Sequence, residues 1–524
     1  MLVVLSRSIT PFPSFPPRAA ALTVEYHAKL ARGSRRAKDS PALRPPRVTC
    51  FDLHGKRACF PSARLKPNQY NMPAMRYTTA LRLSVVLILS ICSASLWGQT
   101  SALTAIRCGR FFDGKTLGLQ DSVVLLIQDG RIPAVGRSLS IPADAKIIDL
   151  SQATVMPRLI DCHTHMFLHG IKYDDALLKK SQQYRAIWAT VSARKALLSG
   201  FTTIRDVETE GAGYGDVALR DAINAGIVIG PRMQCATRAL SITGGYSPYG
   251  YSPDVEIPKG AQIADGVDGV RKAVREQLSK GADLIKIYID HPRRPTANPD
   301  MLTAWPTFSL DETRAIVEEA AKVGAKVAAH VYNSGPAQTA IQAGVASLEH
   351  GIYLDDTTFR MMAEKGVYWV PTLMAYMQFM DDPNVTPEQR RLMAGTTERH
   401  RETFQRALKL PVKIAFGTDL DGNHERAAEE FLWMVRDGMA PLVALRAATS
   451  EAADLLGWKD RLGSLEPGKV ADVVAVRGNH SDEARDLRYE RRHGVQTRRI
   501  GNANDSLLDP NRATDVCGRR SAAI

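Results

Sequence analysis

Two histidines separated by one residue, in Asp161-Cys-His-Thr-His165, follow an apolar run at 155–160. Residues two apart on a strand point to the same side, so both imidazoles can reach one metal ion. Three further apolar segments end in comparable groups: 326–330 in His330, 347–350 in His350, and 413–417 in Gly417-Thr-Asp419. Lys286 sits inside the apolar run 284–289, where an unpaired ammonium is costly and must be neutralised or bridged. Taken singly, each of these histidines is more often packed or capped than ligating. Jointly, four of only 12 histidines fall at the ends of three strands, with an acid at a fourth and a lysine in a fifth. That combination points to a metal centre. Cys162 alternates to the other side, and neither it nor a serine is needed as a nucleophile.

The elements that must position these groups are eight candidate strands, at 155–160, 202–206, 232–237, 284–289, 326–330, 347–350, 368–373 and 413–417. Amphipathic stretches at 181–198, 267–280, 310–323, 337–343 and 426–436 lie between them. This strand–helix rhythm predicts an α/β chain, a (β/α)8 TIM-like barrel, whose catalytic groups sit at the C-terminal ends of the strands. Short strands and turns over 102–157, and again over 463–476, predict a small β-sandwich domain built from segments flanking the barrel. The expected organisation is therefore sandwich at 102–157, barrel at 158–457, and the returning sandwich segment at 458–480.

Together these residues resemble the metal-dependent amidohydrolase superfamily. The resemblance is carried by Met156-Pro-Arg-Leu-Ile-Asp-Cys-His-Thr-His165, Lys286, His330, His350 and Gly-Thr-Asp419, with matching segments at 129–136 and 463–472. It covers roughly residues 102–476. Lys286, with Thr202-Thr-Ile-Arg-Asp206 and Gly230-Pro-Arg232, is similar to the secreted Xaa-dipeptidase branch, Xaa-Pro dipeptidases and carboxypeptidases, which includes ochratoxin-hydrolysing enzymes. The resemblance implies two divalent ions, most often zinc: one on His163, His165 and Asp419, the other on His330 and His350. A carbamate on Lys286 would bridge them. It also implies cleavage of amide bonds in dipeptides or N-acyl amino acids through a metal-bridging hydroxide, with Asp419 carrying the proton to the leaving nitrogen. Two alternatives stay open: a cyclic amide or imide hydrolase of the same superfamily, and a non-catalytic scaffold on the same fold. All six ligand positions are filled, which weighs against the scaffold.

Two positions depart from the usual pattern. Arg158 stands where glycine is expected, crowding a tight stretch, and Tyr246 follows Gly244-Gly245 where histidine is common. Tyr246, Tyr288 and His291 are candidates for contacting substrate, with packed tyrosines on a surface loop the other reading. Arg293 and Arg294 could pair with a carboxylate, or form a solvated turn. His169 and His424 are at most supporting residues behind the ligands.

Charge is concentrated at the chain ends. Of the net +13, residues 1–74 carry +10, 75–98 carry +2 and 477–524 carry +3, leaving −2 over 99–476. A nucleic-acid binder carries its positive charge on the folded domain, so no nucleic-acid partner is expected; the expected partner is a small molecule or dipeptide, with a homo-oligomer open. Residues 1–74 hold ten of 29 prolines and read as a disordered basic extension, or as an upstream mistranslation. Met75-Arg-Tyr-Thr-Thr-Ala-Leu-Arg82, then an apolar run of ten residues and Ser93-Ala-Ser95, reads as a signal peptide over 75–98. The run is short of the roughly 20 residues of a membrane span. Export to a periplasmic or extracellular space follows, with no stable membrane span after cleavage. Seven cysteines at wide spacing give no disulfide framework. The stretch 481–524 reads as an irregular charged tail, with a reading-frame slip as the alternative.

Overall fold

The computed structural model describes Leu2–Val4 and residues 103–477, apart from 171, 172, 247, 249, 293–299 and 381. The rest of the expected basic extension, the expected signal peptide at 75–98 and the expected tail at 481–524, with Tyr249, Arg293 and Arg294, lie outside the described residues.

Short strands come first: β1 (Leu2–Val4), β2 (Thr104–Phe111), β3 (Gln120–Ile127), β4 (Val135–Gly136) and β5 (Lys146–Pro157). β2 pairs antiparallel with β3 and parallel with β5. Three parallel strands follow in one sheet: β6 (Leu159–Thr164), β7 (Phe201–Asp206) and β8 (Arg232–Cys235). The remaining strands are β9 (Leu240–Ser241), β10 (Gln262–Ile263), β11 (Leu284–Tyr288), β12 (Asp290–Pro292), β13 (Ala304–Pro306), β14 (Lys326–Asn333), β15 (Ser347–Tyr353), β16 (Tyr368–Val370), β17 (Lys413–Ile414) and β18 (Val473–Arg477). Seven of them form a second parallel sheet in the order β10-β9-β11-β14-β15-β16-β17, while β12 and β13 make a small hairpin.

Backbone hydrogen bonds tie both edge strands of the three-stranded sheet to the seven-stranded one. Cys162 N donates to Phe416 O and Asp419 N to His163 O, each at 2.9 Å, beside β17; Asp283 N donates to Cys235 O at 2.8 Å beside β11. β18 then returns antiparallel to β5 and β1. The segments before and after the parallel sheets thus meet in one continuous six-stranded sheet, where the sequence reading expected two layers. A register shift between Cys108 and Arg110 lets β2 follow β5 along its length.

The helices follow from local chemistry. Helix Gln182–Leu198 starts at Ser181, whose hydroxyl accepts from Tyr184 N at 3.2 Å, satisfying a donor with no partner inside the helix. Helix Leu310–Ala321 starts with a reciprocal Ser309/Glu312 capping box. Every residue of β6, β7 and β11 is buried, because a parallel strand is covered on both faces. Ile285, Ile287, Val327, Ala329 and Leu348 pack with helix residues Ala273, Ile316, Ile341 and Phe404 in the main core; each fully buried Ile, Leu or Phe contributes roughly 1.5–3 kcal/mol.

The expected strand at 155–160 is interrupted at Arg158, between β5 and β6. That arginine is buried, and its Nε donates to Val473 O at 2.9 Å while its backbone N donates to Asp472 O at 3.1 Å. The side chain is seated by β18 rather than crowding the chain. The expected strands at 368–373 and 413–417 end early, at Val370 and Ile414, because Phe416 N turns to Ala447 O at 3.0 Å and Thr372 takes a positive φ.

Candidate metal centre

His163 lies near the end of β6 and His165 just beyond it; His330 is on β14, His350 on β15, Lys286 on β11, and Asp419 in the loop after β17. Ligand atoms of His163, His165 and Asp419 lie within 4.8 Å of one another. Asp419 Oδ1 is 3.0 Å from His165 Nε2 and 3.4 Å from His163 Nε2, and Asp419 Oδ2 is 3.7 Å from His350 Nδ1. The His350 ring centroid is 4.9 Å from that of His163 and 4.6 Å from that of His330. Four histidines and one aspartate from four strands therefore converge, although His330, His350 and Lys286 stand outside the tightest triad.

Backbone strain marks the same place. Five of the seven non-glycine residues with positive φ among the described residues are Glu210, Thr237, His350, Thr372 and Asp419, all at or after the C-terminal ends of parallel strands. Such conformations persist only where the surroundings enforce them, and they concentrate at functional sites. At His350 the turn breaks strand alternation, so Glu349 and His350 both reach His163.

Supporting contacts fix the tautomers. His163 Nδ1 is 2.8 Å from Glu349 Oε2, and His165 Nδ1 is 3.1 Å from Glu208 O. Both partners only accept, so each Nδ1 carries a hydrogen and Nε2 is the atom that can offer a lone pair once the ring is neutral. Glu349 also accepts from Arg205 Nη2 at 2.8 Å and from Ser347 Oγ at 2.5 Å. Asp161 accepts from His163 N, Thr418 N and Thr418 Oγ1, joining β6 to the Asp419 loop.

The electrostatics suit a cation. Burial, reinforced by neighbouring positive groups, holds His163, His330 and His350 well below the usual imidazole range. Burial opposes protonation of His165 too, but Asp419 beside it wins and raises it to about 10. Burial raises Asp419 as well, yet His163 and His165 outweigh that and hold it below the ordinary carboxylate value. Burial lowers Lys286 against the pull of Glu349 and Asp419, and its ammonium has no hydrogen bond or ion pair among the described residues. The Nε2 atoms of His163 and His330 are buried without a hydrogen-bond partner, a loss that normally costs about 1–3 kcal/mol each. His163 Nε2, 3.4 Å from Asp419 Oδ1, is an acceptor facing an acceptor, and a cation between them resolves both. The nitrogen–oxygen donor set fits zinc and similar ions.

Tyr246, Tyr288 and His291 also come together. Tyr246 stacks on Tyr288 at 4.5 Å, and His291 lies edge-on to Tyr246 at 4.8 Å and to Tyr288 at 5.6 Å. Tyr288 is 4.7 Å from His330, so this wall adjoins the histidines. The tyrosine hydroxyls donate to two buried glutamates the sequence reading passed over, Tyr288 to Glu208 at 2.5 Å and Tyr246 to Glu210 at 2.9 Å. His169 packs on Trp188 at 5.1 Å, and neither it nor His424 joins the ligand cluster. Cys162 packs with Ile160, Val370 and Ala415. Glu349 and Arg205 were also missed as supports; the available signal was a charged residue at a fully buried strand position.

A parallel α/β fold that gathers a His-x-His pair, two further strand histidines and an aspartate offers a possible metal site of the kind hydrolases use. Residues 154–499 match the amidohydrolase family model, and the chain belongs to that family. It is 33% identical over 402 residues to the ochratoxinase of Aspergillus niger, covering 72% of this chain and 82% of that protein. Among solved structures, it resembles a Xaa-Pro dipeptidase with bound methionine in the active site (34% identity, TM-score 0.65, 72% of this chain and 94% of that one). It also resembles a prolidase complexed with N-methylphosphonate-L-proline (31% identity, TM-score 0.65, covering 72% and 93%).

Proposed function

We propose that this chain is a metal-dependent hydrolase cleaving the amide bond of dipeptides or N-acyl amino acids, the chemistry named for its ochratoxinase and dipeptidase relatives. The observation that carries the reading is the convergence of His163, His165 and Asp419 within 4.8 Å, with two more buried histidines alongside. In this reading eight strands (β6, β7, β8, β11, β14, β15, β16 and β17) close a barrel, supported by the hydrogen bonds at both sheet edges, and the β1–β5 and β18 strands form a small flanking domain.

His163, His165 and Asp419 would hold one zinc ion, and His330 and His350 a second. Bound dications would activate water near neutral pH and polarise the scissile carbonyl. Lys286 is the proposed carbamate carrier: burial favours its neutral amine, the form that reacts with carbon dioxide. Asp419 is 19% exposed, against 1–6% for His163, His165 and His350, so it is the group of the set that substrate reaches most easily. Held as an anion, it accepts a proton from the attacking water at Oδ1 and passes it to the leaving nitrogen. Glu349 and the Glu208 carbonyl keep both imidazoles in the required tautomer. Tyr246, Tyr288 and His291 line the substrate side next to His330. The protein is proposed to be exported after cleavage near residue 95, a reading that rests on sequence; a mature chain retaining Pro41 or Arg64 would overturn the reading of residues 1–74 as an upstream mistranslation.

The test is metal counting by mass spectrometry on the zinc-loaded protein, with a panel of dipeptides, N-acyl amino acids and cyclic imides. Hydrolysis of the first two with two ions per chain supports the proposal. Turnover confined to cyclic imides favours that branch, and stoichiometric zinc without amide turnover identifies a scaffold.

A further inference from the structure

Helix Pro387–Ala407 packs against β15 and hands it three side-chain donors in order. His400 Nε2 lies 2.9 Å from His350 O, Thr403 Oγ1 donates to Ile352 O at 2.8 Å, and Arg406 Nη2 donates to Leu354 O at 2.8 Å. Residues three apart share a helix face, so one row of the helix serves every second carbonyl from His350 to Leu354. The first of these bonds falls on a residue of the metal centre. β15 stops pairing with β16 at Glu349 and Val370, and His350 and Gly351 then take φ of 67° and 64°. Beyond that last pair, the His350 carbonyl accepts from Trp369 Nε1 as well as from His400 Nε2, each at 2.9 Å. A carbonyl only accepts, so His400 carries its hydrogen on Nε2, and the two donors fill both lone pairs. A Cβ at Gly351 would come within 2.6 Å of Trp369 Nε1, so glycine there is what lets the indole approach. Thr372 Oγ1 is 2.8 Å from His350 Nδ1; ring and backbone are thus fixed separately.

We propose that His400 is a positioning residue for the second ion, holding the strained His350 backbone so that its ring stays beside His330. The inference rests on the reading of His330 and His350 as ligands of a second zinc. A non-glycine residue keeps a left-handed conformation only where its surroundings enforce it. Rotation about the His350 backbone would carry its imidazole away from the His330 ring, whose centroid is 4.6 Å distant. Trp369 supplies one anchor, through an indole packed beside Phe359 and Phe404. His400, itself buried, supplies the other from a separate element. One donor fixes the distance of the carbonyl; two fix its direction. Thr403 and Arg406 bond past the ligand, so a role in merely attaching the helix would be shared by all three.

The test is stepwise zinc affinity of the full chain by chelator competition, with His330→Ala marking the step that belongs to the His330/His350 ion. His400→Leu is expected to weaken that step by about 10–100-fold, the range for an outer partner of a metal ligand, and to leave the step on His163, His165 and Asp419 unchanged. His400→Gln, whose amide N–H can serve the same carbonyl, is expected to recover most of the loss. Thr403→Val, which removes the neighbouring bond, is expected to lower Tm without moving either zinc step. Equal losses of Tm in His400→Leu and Thr403→Val with both zinc steps kept would mean helix attachment alone, and overturn the proposal. Should His400→Leu not fold, wild type supplies the reading: the ring Nε2–H magnetic resonance of isotope-labelled His400 should move as the His330/His350 zinc binds, and a resonance that stays still on that step overturns it. A single zinc in wild type overturns the two-ion reading and this inference with it. Two zincs bound equally well by wild type and His400→Leu overturn this inference alone.

Discussion

Replacing Glu349 with glutamine removes one charge from behind the metal centre while keeping the side-chain shape. The carboxylate is fully buried and receives His163 Nδ1 at 2.8 Å on one oxygen and Arg205 Nη2 at 2.8 Å on the other. Glutamine has one acceptor and one donor end, so either Arg205 or His163 must face an NH2 group. If His163 faces it, its Nδ1 becomes the acceptor, its hydrogen moves to Nε2, and the lone pair aimed at the ion is lost. Disturbing such an outer partner typically costs 10–100-fold in metal affinity. In either orientation the buried Arg205 guanidinium loses its anion, which costs about 3–5 kcal/mol; where the amide oxygen still accepts from Arg205, the expected loss lies at the lower end, about 3 kcal/mol. The assay is zinc competition against a chelator, with thermal unfolding of the metal-free protein measured separately, because bound metal itself raises the apparent stability. Adding Arg205→Met to Glu349→Gln should recover part of the stability but none of the zinc affinity. Wild-type zinc affinity together with wild-type stability in Glu349→Gln would refute the reasoning.

Other expectations follow from the same contacts. Asp419→Asn should lower kcat by about 10²–10⁴, the usual share of a general acid–base group, with an unchanged circular dichroism spectrum; retained turnover argues for another proton carrier. Lys286→Ala should leave fewer than two ions per chain and abolish amide cleavage, and full activity with two ions refutes the ligand assignment. Ser464, Lys469 and Lys115 hold the Glu466 carboxyl down at about 2. A depressed folded value means stability that is present above the unfolded pKa, near 4.3, and lost as pH falls through about 2. The gap in Tm between wild type and Glu466→Gln should therefore be open at pH 7 and closed by pH 2; a gap independent of pH contradicts the pairing. Arg158→Gly should destabilise by about 1–3 kcal/mol, because a buried, hydrogen-bonded side chain leaves a void and an unmet carbonyl at Val473. A more stable variant would mean that the arginine is strained.

Much of this protein is written in local order. Long apolar runs separated by amphipathic stretches read as buried strands and covering helices because period and length are properties of neighbouring residues, and Ser181 and Ser309 announce helix starts by the same local logic. The placing of His163, His165, His330, His350 and Asp419 on or just after apolar runs, and of Lys286 inside one, was legible for that reason. What tertiary structure alone decided is how those ends meet. Glu349 looked like an ordinary residue beside a histidine until a positive φ at His350 broke the alternation and turned both inward. Arg158 looked like an intruder until β18, more than 300 positions later, supplied the carbonyl that receives it. Glu208 and Glu210 gave no periodic signal, since their partners Tyr288 and Tyr246 arrive from β11 and from the loop after β9. Desolvation and charge pairing depend on distances between segments remote in the chain, and those distances exist only once the sheets have formed.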